Sequence, residues 1–132
     1  MLHVAMAHNQ HHEHLIKETE EMLSPLLQKS PQGVYVYLDD EHKFCNEHFS
    51  KMLGYTSVEE WVKNESPLGD VVEADQERVV KAYMDASEHG KASILTVSLQ
   101  TKQSKKITAE IIMTPLTYQN EVFVLHFITP KK

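Results

Sequence analysis

The chain has 132 residues and a mass of 15.2 kDa, which is the size of one domain. Hydrophobic residues make up 41% of it and charged residues 24%, values that exclude a wholly disordered chain. The net charge of −6 and a single arginine, Arg78, argue against a domain that binds nucleic-acid phosphates.

The N-terminal segment is rich in histidine. Residues 1–14 contain five of the nine histidines, namely His3, His8, His11, His12 and His14. His8 and His12 are four residues apart, so a helix reaching that far would place them on one face, where they could hold a transition metal. A solvent-exposed, frayed terminus explains the same pattern without a metal. We therefore assign no metal site from the sequence.

An amphipathic front helix is predicted next, over about residues 9–23, because apolar residues recur there at helical spacing among Glu and Lys. These residues are Leu15, Ile16, Met22 and Leu23. Ser24 followed by Pro25 is typical of an N-cap and the first position of a new, short helix. We divide the chain into a His-rich start with a front helix, residues 1–24, and a domain over residues 25–132.

Two strands and then four short helical pieces follow in the predicted order. Alternating apolar residues predict a strand from Gly33 to Asp39, and a second short strand follows at Lys43–Cys45. Asn46 is expected to cap a short helix that ends at Gly54. Thr56–Glu59 is expected to form a capping box for the next short helix.

The last helix is expected to begin at a cap on Asp75 and to end at Gly90. Three strands are then predicted over about residues 92–101, 105–117 and 121–129, joined by two hairpin turns. The final strand is apolar on both faces, so both faces of the sheet must be covered. The front helix, a second protomer or both could cover the outer face.

Three segments resemble the PAS (sensory box) family. Ser30–Val36 (SPQGVYV) is similar to its S-P-D-G opening, and Asn46–Thr56 (NEHFSKMLGYT) to its N-x-x-F segment with the L-G-Y-S/T end. Val72–Asp75 is similar to its apolar-x-P-x-D cap. The resemblance covers about residues 25–129 and implies an α+β fold. That fold has a five-stranded antiparallel sheet, short helices on one face and an N-terminal amphipathic helix.

One departure from the family pattern concerns signal output. PAS domains often end in D-I-T-x-x-K, whose Asp couples the sheet to a downstream helix. Here Ile128 and Thr129 match, but Phe127 stands at the Asp position, and Pro130 disfavours a helix that continues from it.

The resemblance implies a cytoplasmic sensory domain that acts by ligand- or partner-modulated dimerisation. We expect a homodimer, a small apolar ligand and a downstream signalling protein as its partners. The alternatives are a ligand-free protein–protein interaction module and a haem- or metal-binding regulator. A single cysteine fits a reducing compartment, and no apolar run approaches the roughly 20 residues that span a bilayer. No catalytic motif is present, so we expect no enzyme and no catalytic residues.

The resemblance also locates a candidate pocket between the sheet and the short helices. Its predicted lining residues are Phe49, Met52, Leu53, Trp61, Val80, Tyr83, Met84 and His126. Charged groups are absent from these positions, so the expected ligand is small and apolar, with one or two polar anchors. The same residues could simply fill a core, which remains the alternative.

The cofactor is left open. The flavin-binding branch of the family needs a reactive cysteine near residues 64–72, where this chain has none, and Cys45 falls on a predicted strand instead. Haem-binding members take an axial histidine from the long helix. His89, at the end of that helix, is the one weak candidate, and a histidine there also suits the helix dipole.

Overall fold

The computed structural model describes the backbone of residues 2–131 and the side chains of residues 10–131, so the side chains of His3 and His8 lie outside the described residues. Its elements are α1 (Leu2–Lys29), β1 (Gly33–Asp39), β2 (His42–Cys45), α2 (Glu47–Met52), α3 (Val58–Val62), a 3-10 helix (Pro67–Asp70), α4 (Glu73–His89), β3 (Ser93–Gln100), β4 (Lys106–Tyr118) and β5 (Glu121–Pro130). Across residues 2–131, no helix combines the length and the hydropathy that crossing a membrane requires.

The five strands form one antiparallel sheet in the order β2-β1-β5-β4-β3. The last strand in sequence is therefore the central strand in space, paired with β1 on one side and β4 on the other. The predicted α+β class with a five-stranded antiparallel sheet is confirmed.

Both faces of β5 are covered, as its sequence predicts. On the inner face, Val124 and Ile128 are fully buried in the core that α2, α3 and α4 complete. On the outer face, Phe123 is fully buried in a second core, in which it packs with Leu15 of α1. The front helix is thus the layer that covers this part of the outer face.

The front helix is longer than predicted, and the predicted break at Ser24 and Pro25 is wrong. α1 continues through Pro25 to Lys29. A proline inside a helix removes one backbone hydrogen bond and costs about 3 kcal/mol when nothing compensates. Here Leu23 and Leu27, on either side of Pro25, both pack against the second core, on the outer face of the sheet, and this packing offsets the cost.

Asn46 caps α2 as predicted and also ties that helix to the sheet. Its Oδ1 accepts hydrogen bonds from the backbone N–H of Phe49 at 2.9 Å and of Val34 at 3.0 Å. The N-cap of α3 is Ser57, one residue later than predicted. The Ser57 hydroxyl oxygen accepts a hydrogen bond from the backbone N–H of Glu60, and the Glu60 carboxylate accepts one from the backbone N–H of Thr56.

Asp75 does not cap α4, which begins two residues earlier, at Glu73. Its carboxylate instead accepts a hydrogen bond from the backbone N–H of Ser98 on β3 at 2.8 Å and another from Arg78 at 2.9 Å. The residue therefore joins the first turn of α4 to the sheet. A contact between residues so far apart in sequence is not visible in local capping patterns.

Gly54 ends α2 with a backbone φ of +79°, as expected for a left-handed position. A Cβ there would lie 2.0 Å from Oε1 of Gln103, whose side chain donates to the Gly54 carbonyl. We expect Gly54→Ala to lower the free energy of unfolding by about 1–2 kcal/mol, mainly because of the backbone conformation. Chemical denaturation measures this change.

Gly69→Ala is the matched control. Nothing lies within 4 Å of a Cβ built at Gly69, and its φ is not positive. This variant should change stability by less than about 0.5 kcal/mol. Equal effects of the two substitutions would contradict our account of the α2 terminus.

Candidate ligand-binding site

A cavity of about 260 Å³ lies between the inner face of the sheet, the 3-10 helix and α4. It is lined by Tyr35, Tyr37, Asp40, Ser66, Pro67, Leu68, Val71, Val79, Val80, Tyr83 and His126. Most of these side chains are aliphatic or aromatic, and the polar groups are few. The cavity is close in size to the smaller pockets that bind small molecules in proteins.

Aromatic rings line the sheet side of the cavity. Tyr35 and Tyr37 alternate along β1 and therefore point to the same face. The Tyr35 ring stacks on the His126 imidazole with centroids 3.8 Å apart and planes 12° apart. The Tyr37 ring meets the Tyr83 ring edge-on at 5.2 Å, which links β1 to α4. Because these rings pack against one another, they hold the wall of the cavity in place.

His126 is a buried, uncharged polar group in this wall. Its Nδ1 donates a hydrogen bond to the Val124 carbonyl at 3.1 Å, since a carbonyl can only accept. Burial lowers the pKa of His126 to about 3, although hydrogen bonds to the backbone oppose this. The neutral ring has its proton on Nδ1 and keeps its second nitrogen as an acceptor.

The second polar part of the cavity wall is a hydrogen-bonded pair, Tyr37 and Asp40. The Tyr37 hydroxyl donates to Oδ1 of Asp40 at 2.6 Å. Burial and this hydrogen bond raise the pKa of Tyr37, so the hydroxyl stays protonated. Asp40 therefore places an acidic group beside the cavity, contrary to the expectation that charged groups are absent. A carboxylate at this position repels anions and accepts hydrogen bonds from donors.

Lys43 is a buried cation next to this region that the sequence analysis did not single out. Only 4% of its surface is exposed, and its Nζ donates to the carbonyls of Asp40 and Val62. Nζ also lies 5.6 Å from the centroid of the Trp61 ring. Burial lowers the pKa of Lys43. Lys43 joins the β1–β2 turn to α3 but is not among the residues that line the cavity.

A second cavity, of about 20 Å³, lies deeper and shares Tyr35, Pro67 and Val71 with the first. It is large enough for about one water molecule. Among the described residues, the indole nitrogen of Trp61 is the buried side-chain polar atom without a hydrogen-bond partner, and Trp61 lines this cavity. Asp70 also lines this second cavity. Burial raises the pKa of Asp70 and outweighs the effect of the Tyr55 hydroxyl, which lies 2.9 Å from both carboxylate oxygens, donates to them and lowers the pKa.

The structure divides the eight predicted lining residues among four settings. Of the two cavities described above, we call the one of about 260 Å³ the large cavity and the one of about 20 Å³ the small cavity. Val80, Tyr83 and His126 line the large cavity, and Phe49, Leu53 and Trp61 line the small one. Met52 packs, partly buried, against the inner core without lining either cavity, and Met84 is 44% exposed. Val80 and Met84 lie one turn apart on the same face of α4, so helical periodicity alone could not show which of them borders the cavity.

The residues that the sequence analysis missed come mainly from β1 and the 3-10 helix. Tyr35, Tyr37, Leu68 and Val71 contribute much of the wall of the large cavity. The alternation of Tyr35 and Tyr37 on a predicted strand was the signal that could have found the first two.

The two residues weighed as cofactor attachment points line neither of the two cavities described above. Cys45 is buried in β2, and burial raises the pKa of its thiol to about 12, which makes it a poor nucleophile. His89 is exposed at the end of α4.

Several solved structures are similar to this chain. The PAS domain of an HTR-like protein from Haloarcula marismortui has 20% sequence identity and a TM-score of 0.67, with 92% of this chain and 99% of that chain covered. A PAS domain from a two-component sensor histidine kinase has 16% identity, a TM-score of 0.65 and coverage of 87% and 99%. A LOV protein from Rhodobacter sphaeroides has 13% identity, a TM-score of 0.69 and coverage of 86% and 67%.

Neither the models of known families nor the curated proteins give a match to this sequence. The structural likenesses cover most of the chain and show that it has the PAS fold, which confirms the resemblance found in the sequence.

The burial of His126 predicts a pH dependence of stability. Its folded-state pKa of about 3 lies below its ordinary value of 6.5, so the unfolded chain binds a proton first as the pH falls. The contribution of His126 to the free energy of unfolding is therefore lost as the pH falls below about 6.5. Between about pH 6 and about pH 4 the loss amounts to about 2 kcal/mol. Urea denaturation at several pH values should show that His126→Gln removes this part of the slope.

The exposed histidine His48 provides the control, and His48→Gln should keep the slope of the wild type. An unchanged slope in His126→Gln would contradict the burial of a neutral imidazole at the cavity.

Proposed function

We propose that this PAS-fold domain is a sensory module that binds a small, uncharged, largely apolar ligand in the large cavity. The observation on which the proposal depends is the cavity of about 260 Å³ with an apolar wall and two uncharged polar groups, the Tyr37 hydroxyl and the His126 imidazole. Ligand pockets in proteins share this composition, in which apolar walls supply affinity and a few polar groups supply orientation.

The charges around the cavity support an uncharged ligand. Asp40 lines the cavity, and the buried cation Lys43 is already bonded to two carbonyls. An anion would lose its hydration without gaining a partner, which costs several kcal/mol. A ligand with a hydrogen-bond donor fits better, because the Asp40 carboxylate can accept from it.

The position of the cavity supports a role in signalling. His126 lines it from β5, and the neighbouring residues Leu125 and Phe127 point to the opposite face of the same strand. Leu125 packs against the core that α1 completes. A ligand that shifts β5 from the inner side would therefore change the surface available to α1 and to a downstream signalling protein.

The outer face of the sheet supports homodimerisation. Ile94, Ile112 and Phe127 stand in register across β3, β4 and β5, and Ile94 has 67% of its surface exposed. This apolar row is not part of the core that α1 covers. A second copy of the chain presents the same row, so a two-fold contact can bury both.

Blocking the cavity tests ligand binding. In a thermal-shift screen of small uncharged and anionic compounds, we expect uncharged compounds to raise the melting temperature of the wild type. Val80→Trp should abolish these shifts because Val80 lines the cavity. Met84→Trp, one turn later on α4, is the matched control and should keep them, since Met84 does not line the cavity.

Two results would count against the proposal. Stabilisation by dicarboxylates that Val80→Trp leaves unchanged would place the site elsewhere. The absence of any stabilising compound would favour a ligand-free interaction module.

Introducing a charged side chain at Ile94 tests whether the dimer forms through the apolar row. We expect the wild type to sediment as a dimer and Ile94→Glu to sediment as a monomer at the same concentration, because a carboxylate buried in the contact is unpaired. Met84→Glu alters another exposed hydrophobic residue, on α4, and should leave the dimer intact. A monomeric wild type, or a dimer that Ile94→Glu does not weaken, would contradict the proposal.

A further inference from the structure

Three metal-ligating side chains meet where α1 crosses the β1–β2 turn. Nδ1 of His12 lies 2.9 Å from Oδ2 of Asp39, and Nδ1 of His42 lies 2.7 Å from Oδ1 of the same carboxylate. One ligand atom from each residue lies within 4.8 Å of the others. The three residues come from α1, the end of β1 and the start of β2, so the fold brings together positions that are 27 residues apart in sequence.

The donor set suits a divalent transition metal. Two imidazoles and one carboxylate bind zinc in many proteins, with a water molecule in the fourth position. The side chains of His42 and His12 are only 9% and 15% exposed, whereas Asp39 is 37% exposed. The site is therefore enclosed by protein on the imidazole side and open to solvent on the carboxylate side, which gives an ion a way in.

The surroundings hold these side chains in position. The Asp39 carboxylate accepts hydrogen bonds from the backbone N–H of Glu41 at 2.9 Å and of His42 at 2.8 Å, which fixes its orientation at the turn. Both bonds end on Oδ1, whereas Oδ2 faces Nδ1 of His12 at 2.9 Å, and a bound ion would take the place of that hydrogen bond. The other ring nitrogen of His12 lies 3.3 Å from Oε1 of Glu121. A ligating histidine commonly donates its second N–H to a carboxylate in this way, which orients the ring and raises its basicity.

We propose that His12, Asp39 and His42 form a zinc site that fastens α1 to the β1–β2 hairpin, with Glu121 as the outer carboxylate that orients His12. In this site each imidazole would coordinate through Nδ1 in its neutral form, with its single proton on the other ring nitrogen, and the metal ion would take the place of the hydrogen bonds to Asp39. Zinc would then strengthen the attachment of α1 to the sheet, which the apolar contacts of the second core already provide. This site is separate from the cavity and does not depend on the proposed ligand.

Zinc titration of the chelator-treated full chain, made without an affinity tag, tests the site. We expect one Zn²⁺ per chain and a rise in melting temperature of about 5–10 °C at about 100 times the dissociation constant. His42→Gln and Asp39→Asn should each weaken binding at least about tenfold, and Glu121→Gln about tenfold. Co²⁺ in place of Zn²⁺ should give visible absorption bands that His42→Gln removes.

The control addresses His11 and His14, the two histidines of α1 that lie nearest to His12 in sequence. The double variant His11→Gln, His14→Gln should bind Zn²⁺ with the affinity of the wild type. Circular dichroism without metal shows whether each variant is folded. Glu121 is partly exposed, so Glu121→Gln tests the site even if His42→Gln does not fold. No binding by the wild type would overturn the proposal. Binding that the double variant loses and Asp39→Asn keeps would also overturn it.

Discussion

The architecture depends on one constraint: both faces of the central strand β5 are apolar and must be buried. Val124 and Ile128 are buried on the inner side and Phe123 on the outer side. Each such side chain contributes about 1.5–3 kcal/mol when it leaves water, so neither face can remain exposed. The short helices cover one face, and α1 covers part of the other. The sheet consequently borders a cavity on its inner side, and the association surface that we propose lies on the part of its outer side that α1 does not cover.

Local sequence signals predicted much of this fold. Asn46 and Gly54 were assigned correctly because a side-chain cap and a left-handed terminus are set by adjacent residues. The break at Pro25 was predicted wrongly because the packing of its neighbours on the outer core outweighs the cost of a proline in a helix. Asp75 was misjudged for a similar reason, since its partner Ser98 is on a strand that follows α4.

The candidate site was harder to predict than the fold. Val80, Tyr83 and His126 line the large cavity and were among the residues predicted from the family resemblance, which locates a pocket between the sheet and the short helices; their role in binding stays a prediction. Tyr37 and Asp40 were missed because their contribution depends on how the β1–β2 turn meets α4, which no local pattern records. The cluster around Asp39 was missed as well, because a pairing with His12 requires the length and position of α1. Contacts between distant segments define both sites.

A crystal structure of the protein soaked with the uncharged compound that stabilises it most is the direct test of the central claim. We predict that the compound lies in the large cavity against Tyr35, Leu68 and Tyr83, with α1 still packed on the outer face. A compound bound along α1 or on the outer face, with the cavity filled by the protein's own side chains, would contradict it.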